Sequence, residues 1–227
     1  MVCLVINYLI WAAIVVVMFI CIYMIYDGLA VTNSVILGEE ILTYAPSDET
    51  VNIAALRDIN EDIVGWIRIK DTSIDYPIMQ STDNEYYLQR NCRREFATAG
   101  SIFLDYRNEW GDEFLIIYGH RMSYGGMFTD IIKFKEQSFF DEHETGELFI
   151  DNRKIIFEIV AFGLIKASDR LIYDLKEGAA GRVISQATFV RDSSATEGQY
   201  ILLSTCDAQD KTMRDVLLVK VSDGIIE

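Results

Sequence analysis

Ile63-Val-Gly-Trp-Ile-Arg-Ile-Lys70 alternates, with Val64, Trp66, Arg68 and Lys70 on one side and Ile63, Gly65, Ile67 and Ile69 on the other. That period of two is the pattern of a β-strand. Seven further strand-like runs follow: Ile74–Gln80, Ser101–Tyr106, Glu113–Gly119, Glu147–Asp151, Ile155–Lys166, Tyr200–Thr205 and Val216–Ser222. Helical stretches are expected at Met127–Phe134 and Tyr173–Val190, and a short amphipathic helix carrying Ile53, Leu56, Ile59 and Ile63 leads into the first strand. Strands that do not alternate regularly with helices disfavour a doubly wound sheet. The expected fold is mainly β: an eight-stranded closed or nearly closed barrel with inserted helices.

Outward from this core, residues 51–227 read as one domain with no internal linker or repeat. Residues 27–50 mix Gly, Ser, Asn and Glu with a Pro46-Ser47-Asp48 turn and read as a stalk. Residues 1–26 carry no charged side chain. As a helix the run reaches roughly 37 Å, more than the ~30 Å hydrocarbon core of a bilayer. It is too long for the apolar region of a signal peptide, lacks a basic segment ahead of it, and meets a poor cleavage site at Asp27-Gly-Leu-Ala30. A transmembrane anchor is expected.

The formal net charge is −15, all of it after Tyr26. So acidic a surface argues against nucleic acid, which needs a basic footprint, and against lying flat on anionic lipid. Cys3 and Cys21 fall in the apolar segment, leaving Cys92 and Cys206 in the domain. No Cys/His spacing suits a metal, so none is expected, and both domain cysteines are expected to be unpaired.

Cys206 ends the apolar run Tyr200-Ile-Leu-Leu-Ser-Thr-Cys206, and Arg214 opens the next, Val216-Leu-Leu-Val219. If the two runs form a hairpin, thiol and guanidinium stand side by side at one rim. The cation then favours the thiolate and can stabilise an acyl oxyanion. His120 ends the run Phe114-Leu-Ile-Ile-Tyr-Gly119, and with Cys206 it supplies the two groups of acyl transfer, a nucleophile and an acid/base. The other histidine, His143, sits among carboxylates in Asp141-Glu-His-Glu-Thr145, in what looks like a solvated helix end, and reads as structural or surface. Seven glycine-free residues separate Cys206 from Arg214, unlike the phosphate-cradling loop of a Cys-dependent phosphatase. His also precedes Cys, the reverse of a papain-like protease.

Leu202-Leu-Ser-Thr-Cys206, with Arg214 eight residues later and Tyr118-Gly-His120 upstream, resembles the sortase signature, and the resemblance extends across the domain to class B. Ile59-Asn-Glu-Asp-Ile-Val-Gly-Trp66, Ile74-Asp-Tyr-Pro-Ile78, Asn84-Glu-Tyr-Tyr-Leu88, Gly100-Ser-Ile-Phe-Leu-Asp-Tyr-Arg-Asn108 and Tyr118-Gly-His-Arg-Met122 with Met127-Phe128 carry it, in order. The resemblance implies an eight-stranded sortase barrel outside a Gram-positive cell, tethered by its N-terminal helix and needing no cofactor. It implies a thiol-protease-like transpeptidase that cleaves a C-terminal sorting motif at a Thr-Gly or Thr-Asn bond. The thioacyl enzyme would pass its cargo to an amine of the cell-wall cross-bridge or its precursor. Cys206 would be the nucleophile, His120 the acid/base and Arg214 the oxyanion and substrate clamp, with Ser204 and Thr205 lining the groove. Alternatives are a pilin polymerase with a lysine acceptor and a non-catalytic, membrane-tethered peptide-binding module. The chain departs from the family pattern at Leu202, where Thr is usual, and at Asp215, where an apolar residue is usual. Strand alternation is expected to turn Asp215 away from Arg214. The choice of motif is expected to lie with Ser168–Gly198.

Overall fold

The computed structural model describes residues 2–35, 44–45, 51–123, 125–151, 153–191, 198–206 and 212–222, with side chains outside that description at 2–5, 27–35 and 206. Helix α1, Val2–Val35, contains a 21-residue apolar stretch, Ile6–Tyr26, with a mean hydropathy of 2.7, long and apolar enough to cross a membrane. Its backbone continues nine residues past the expected end at Tyr26, into what the sequence suggested was stalk. The rest of that stalk, apart from Tyr44 and Ala45, lies outside the described residues.

Each of the eight expected strands is present: β1 Ile63–Arg68, β2 Asp75–Met79, β3 Ile102–Leu104, β4 Phe114–Tyr118, β5 Thr145–Ile150, β6 Arg153–Lys166, β8 Tyr200–Cys206 and β9 Met213–Val221. They pair in the order β5-β1-β2-β3-β4-β8-β9-β6, and β6 pairs back onto β5, so the sheet closes on itself. Closure pairs each of these eight strands on both sides. Most pairings are antiparallel, but β2–β3 and β4–β8 are parallel. β6, fourteen residues long, bends through register shifts at Ile159/Ala161 and Phe162/Gly163, as bulges make strands do.

The barrel interior is filled by alternate residues such as Ile67, Ile117, Phe157, Leu203 and Leu217, all essentially inaccessible. Phe128 and the 3-10 segment Thr129–Lys135, through Ile131 and Phe134, belong to the same cluster. Two outer faces are also covered. Helix α2, Ile53–Ile59, packs Ile53 and Leu56 with Trp66, Met79, Phe103 and Phe149. On another side, Ile172 of α4, Arg170–Tyr173, and Val183 of α5, Ala179–Gln186, cover Ile116, Leu202, Val216 and Leu218. Leu202 is therefore a packing residue under these two helices.

Three local expectations are corrected. The stretch Tyr173–Val190 is not one helix: it holds the end of α4, then α5, then a ninth strand, β7 Ala187–Val190, which pairs with β6 beside the closed ring. Its β-branched and aromatic residues, Thr188, Phe189 and Val190, suit that edge. Ile63 does not oppose Trp66. A register shift between Ile63 and Gly65 places it with Trp66 on the face covered by α2, while Val64 packs on the interior cluster. His143 is not a solvated residue. It stacks on Phe139 at 3.7 Å and 16°, bonds the Phe139 carbonyl through Nδ1 at 2.9 Å, and caps helix α3, Gln137–Glu142.

Candidate active site

The parallel pairing of β4 with β8 decides where the site lies. Tyr118 stands opposite Ser204 in that register, so the two strands leave the barrel at the same rim. The Gly119 N–H donates to the Ser204 carbonyl at 3.2 Å and extends the ladder one step further. His120 and Cys206 each lie two residues past the Tyr118/Ser204 pair. On the other side of β8, the antiparallel register with β9 sets Cys206 directly opposite Arg214. Neighbouring strands are ~4.8 Å apart, so Cys206 and Arg214 lie side by side at the ends of β8 and β9, and His120, two residues past the end of β4, lies at the same rim.

That rim borders a cavity of about 320 Å³ lined by His120, Arg214, Ser204, Thr205, Tyr118 and Tyr173 among others. Four of the five residues singled out as site candidates thus meet in one cavity. The fifth, Cys206, is placed by its backbone at the end of β8. Ser204 turns its hydroxyl toward Tyr173, whose OH lies 3.2 Å from Oγ. Thr205 alternates to the side of Leu203 and Ile201, and its buried hydroxyl has no hydrogen-bond partner among the described residues. It is wall rather than a ready donor. Cys92 is a free thiol, packed in the cluster under α2, and its burial pushes its pKa up to about 11.

His120 is held from both sides. A Cβ on Gly119 would meet Phe128 Cδ2 at 2.6 Å, so only glycine lets the chain pass the buried Phe128 ring on its way to the imidazole. The ring Nε2 lies 2.8 Å from the Leu88 carbonyl. A carbonyl only accepts, so Nε2 carries the hydrogen, and Nδ1 is the nitrogen that can take a proton in the neutral ring.

Comparison with known proteins identifies the family. No family model matches the sequence. The chain is 35% identical over 196 residues to sortase B of Listeria monocytogenes, covering 78% of this chain and 79% of that protein. The chain belongs to the class B sortases. Its fold agrees. The crystal structure of Clostridium perfringens sortase B superposes with a TM-score of 0.69 at 31% identity, covering 75% of this chain and 99% of that one. A class B sortase of Streptococcus pyogenes involved in pilus biogenesis gives 0.68 at 28% identity, covering 76% and 98%.

In this sortase a buried carboxylate that sequence reasoning did not single out organises the cavity wall. Asp105, wholly inaccessible at the end of β3, accepts from Tyr118 OH at 3.1 Å, Asn84 Nδ2 at 2.9 Å and Arg107 Nη2 at 2.7 Å. Arg107 Nη2 also donates to the Tyr173 carbonyl at 2.7 Å, which fixes the end of α4 over the cavity. One ion pair thereby connects four segments. Its only trace in the sequence is an Asp and an Arg two residues apart after a strand, and their partners lie as many as 66 residues away. Burial, with Asp105 adding to it, raises the Tyr118 phenol, which stays a neutral donor. Among the described residues lining the cavity, Arg214 is the one permanently cationic side chain.

Burial alone would push the Asp105 carboxyl up, but the Arg107 guanidinium and backbone N–H, with the Asn84 amide, hold it below the ordinary carboxylate range. A carboxylate depressed on folding stabilises fully above its unfolded pKa of about 3.9, and that contribution is lost as pH falls through the lower folded value. Asp105→Asn is therefore expected to cost about 2 kcal/mol at pH 7. Its melting temperature should begin to close on that of the natural protein as pH falls below about 4, and converge with it only below the lowered folded value. Paired thermal melts at pH 7 and pH 3 check this. An equal gap at both values would show that the carboxylate's charge contributes nothing.

Proposed function

We propose that this sortase is a membrane-anchored cysteine transpeptidase with Cys206 as nucleophile, His120 as acid/base and Arg214 as oxyanion and substrate clamp. The observation that supports it is Arg214 directly across from Cys206 on β9 and β8, with His120, just past the end of the adjoining β4, lining the same cavity as Arg214. In the first half-reaction Nδ1 of His120 takes the thiol proton and the sulfur attacks the carbonyl carbon of a threonine in a C-terminal sorting motif. The carbonyl electron pair moves onto oxygen, where Arg214 stabilises it. Collapse breaks the C–N bond, and the leaving amine takes the proton from Nδ1. In the second half an incoming amine gives its proton to Nδ1 and attacks the thioester. The C–S bond breaks and the thiolate recovers the proton. Ser204, Tyr173 and Asn84 line the peptide's path. The apolar stretch of α1 anchors the chain, with the catalytic domain on the outer side and the cell-wall cross-bridge or its precursor as acceptor.

A lysine-bearing pilin is the second acceptor reading, favoured by the likeness to the Streptococcus pyogenes sortase involved in pilus biogenesis. One experiment separates these readings. The full chain in detergent micelles is incubated with peptides holding an internal Thr-Gly or Thr-Asn bond, alone, with triglycine, or with a lysine-bearing peptide. Cleavage after threonine, an acyl mass on the Cys206 peptide, and transfer to triglycine are expected. Transfer to lysine alone would favour the pilin reading. Absence of any acyl adduct across the panel would leave a binding module.

A further inference from the structure

Asp215 follows Arg214 directly, yet alternation along β9 turns it to the side of Leu217 and Val219, into the barrel. Its side chain is completely inaccessible and its two oxygens are divided between two cations. Oδ1 lies 2.9 Å from Lys135 Nζ, at the end of the 3-10 segment. Oδ2 lies 3.6 Å from Arg121 Nη1, on the residue directly after His120. Arg121 Nη1 makes no hydrogen bond among the described residues, so this ion pair is what draws its head inward.

A carboxylate in such a place is costly. Desolvating it takes several kcal/mol, and an apolar side chain of similar size commonly gives equal or better stability. Stability alone does not account for the residue. Its connections do: the carboxylate belongs to the neighbour in sequence of Arg214 and holds the neighbour in sequence of His120. The excursion that begins at His120 is closed at its base by a bridge between Arg121 and Met127, and by the Phe128 N–H donating to the His120 carbonyl at 3.1 Å. Through Arg121 that base is tied to β9. Through Lys135 the segment following the excursion is tied to the same point.

We propose that Asp215 is a positioning residue that couples the imidazole of His120 to the guanidinium of Arg214 by clamping Arg121 and Lys135 inside the barrel. The inference rests on the roles given to His120 and Arg214 above, and it concerns how the two are kept in register rather than what they do. Both cations are partly exposed, with side-chain accessibilities of 22% for Arg121 and 31% for Lys135. They can swing to water when the carboxylate is removed, so the fold should survive while the register loosens.

The test uses the full chain in detergent micelles and reads the rate at which iodoacetamide alkylates Cys206, located by peptide mass mapping, alongside peptide kcat and KM. Asp215→Asn keeps the shape and removes the charge. It should keep a native near-ultraviolet circular dichroism spectrum, alkylate about tenfold more slowly, and lose kcat with KM nearly unchanged. Arg121→Met, which leaves the Lys135–Asp215 pair in place, should reproduce most of the loss, and it carries the same readouts if Asp215→Asn fails to fold. Added to His120→Ala, Asp215→Asn should slow alkylation no further. A rate equal to the natural protein's in the single variant would overturn the proposal. So would an equal fold-loss in the His120→Ala background, since that is what a merely structural role predicts. If the natural protein cleaves no peptide while the alkylation pattern holds, the transpeptidase reading fails and the coupling stands.

Discussion

Replacing Cys206 by alanine is expected to end peptide cleavage and acyl transfer while leaving the barrel folded. The residue is the last of β8, beyond the buried Ile201, Leu202 and Leu203 that pack the strand on both faces, so the packing that holds the strand is left in place. What it removes is the atom on which, in the proposed mechanism, the thioester forms. Among the described residues no substitute nucleophile stands beside it. The Ser204 hydroxyl is engaged with Tyr173, the Thr205 hydroxyl is buried, and neither has a base within its described hydrogen bonds. The loss should therefore reach the limit of the assay, whereas losing an acid/base alone, as in His120→Ala, should cost about 10²–10⁴-fold. Mass spectrometry of peptide products, with circular dichroism as the control for folding, measures both. A Cys206→Ala protein that still cleaves the same bond within tenfold of the natural rate would refute the assignment.

Arg214→Ala should lower kcat/KM about 10²–10³-fold, the usual cost of removing an oxyanion donor, and Arg214→Lys should recover little of it. Arg214 sits directly across from Cys206 on the antiparallel partner strand, with Nη1 donating to the Met213 carbonyl at 3.0 Å. A guanidinium can hold one direction with one nitrogen and present others to a carbonyl oxygen, whereas an ammonium is a compact point charge on a flexible stem. Its own neighbour does not neutralise it. The Asp215 carboxylate lies on the opposite face, paired with Lys135 and Arg121, as strand alternation led one to expect. Steady-state kinetics on the peptide that the natural protein cleaves best decides the matter. Activity of Arg214→Lys equal to the natural protein's would reduce the residue to a source of charge, and Arg214→Ala within tenfold would remove it from the mechanism.

The strands were legible because alternation in a barrel is dictated by burial, and burial is written in residue type. Ile67 and Ile69, Ile201 and Leu203, Leu217 and Val219 point inward as their spacing says. Legibility failed where a local pattern had two solutions. Ala187–Val190 continues an apolar helical face about as well as it forms a strand, and only the open edge of β6 selects the strand. Ile63 took the wrong side because a bulge, invisible to a period-two count, resets the alternation at its first step. The solvated setting read for His143 failed because its neighbours in sequence are carboxylates, while its neighbour in space is the Phe139 ring.

The site divides in the same way. Which side chains are proposed to bear the chemistry came from residue type, and that Cys206 and Arg214 face one another across a hairpin followed from a short loop, since a short connection leaves antiparallel pairing as the easy outcome. That His120 joins them did not follow from anything local. It depends on β4 and β8 lying parallel, with about eighty residues between them, and parallel neighbours need a long crossover whose path no nearby residue specifies. The same holds for the Asp105 hub and the Asp215 clamp. A sequence states which charges exist, but a buried charge is tolerable only when its partners arrive from elsewhere in the chain, and closure of the barrel alone decides who those partners are.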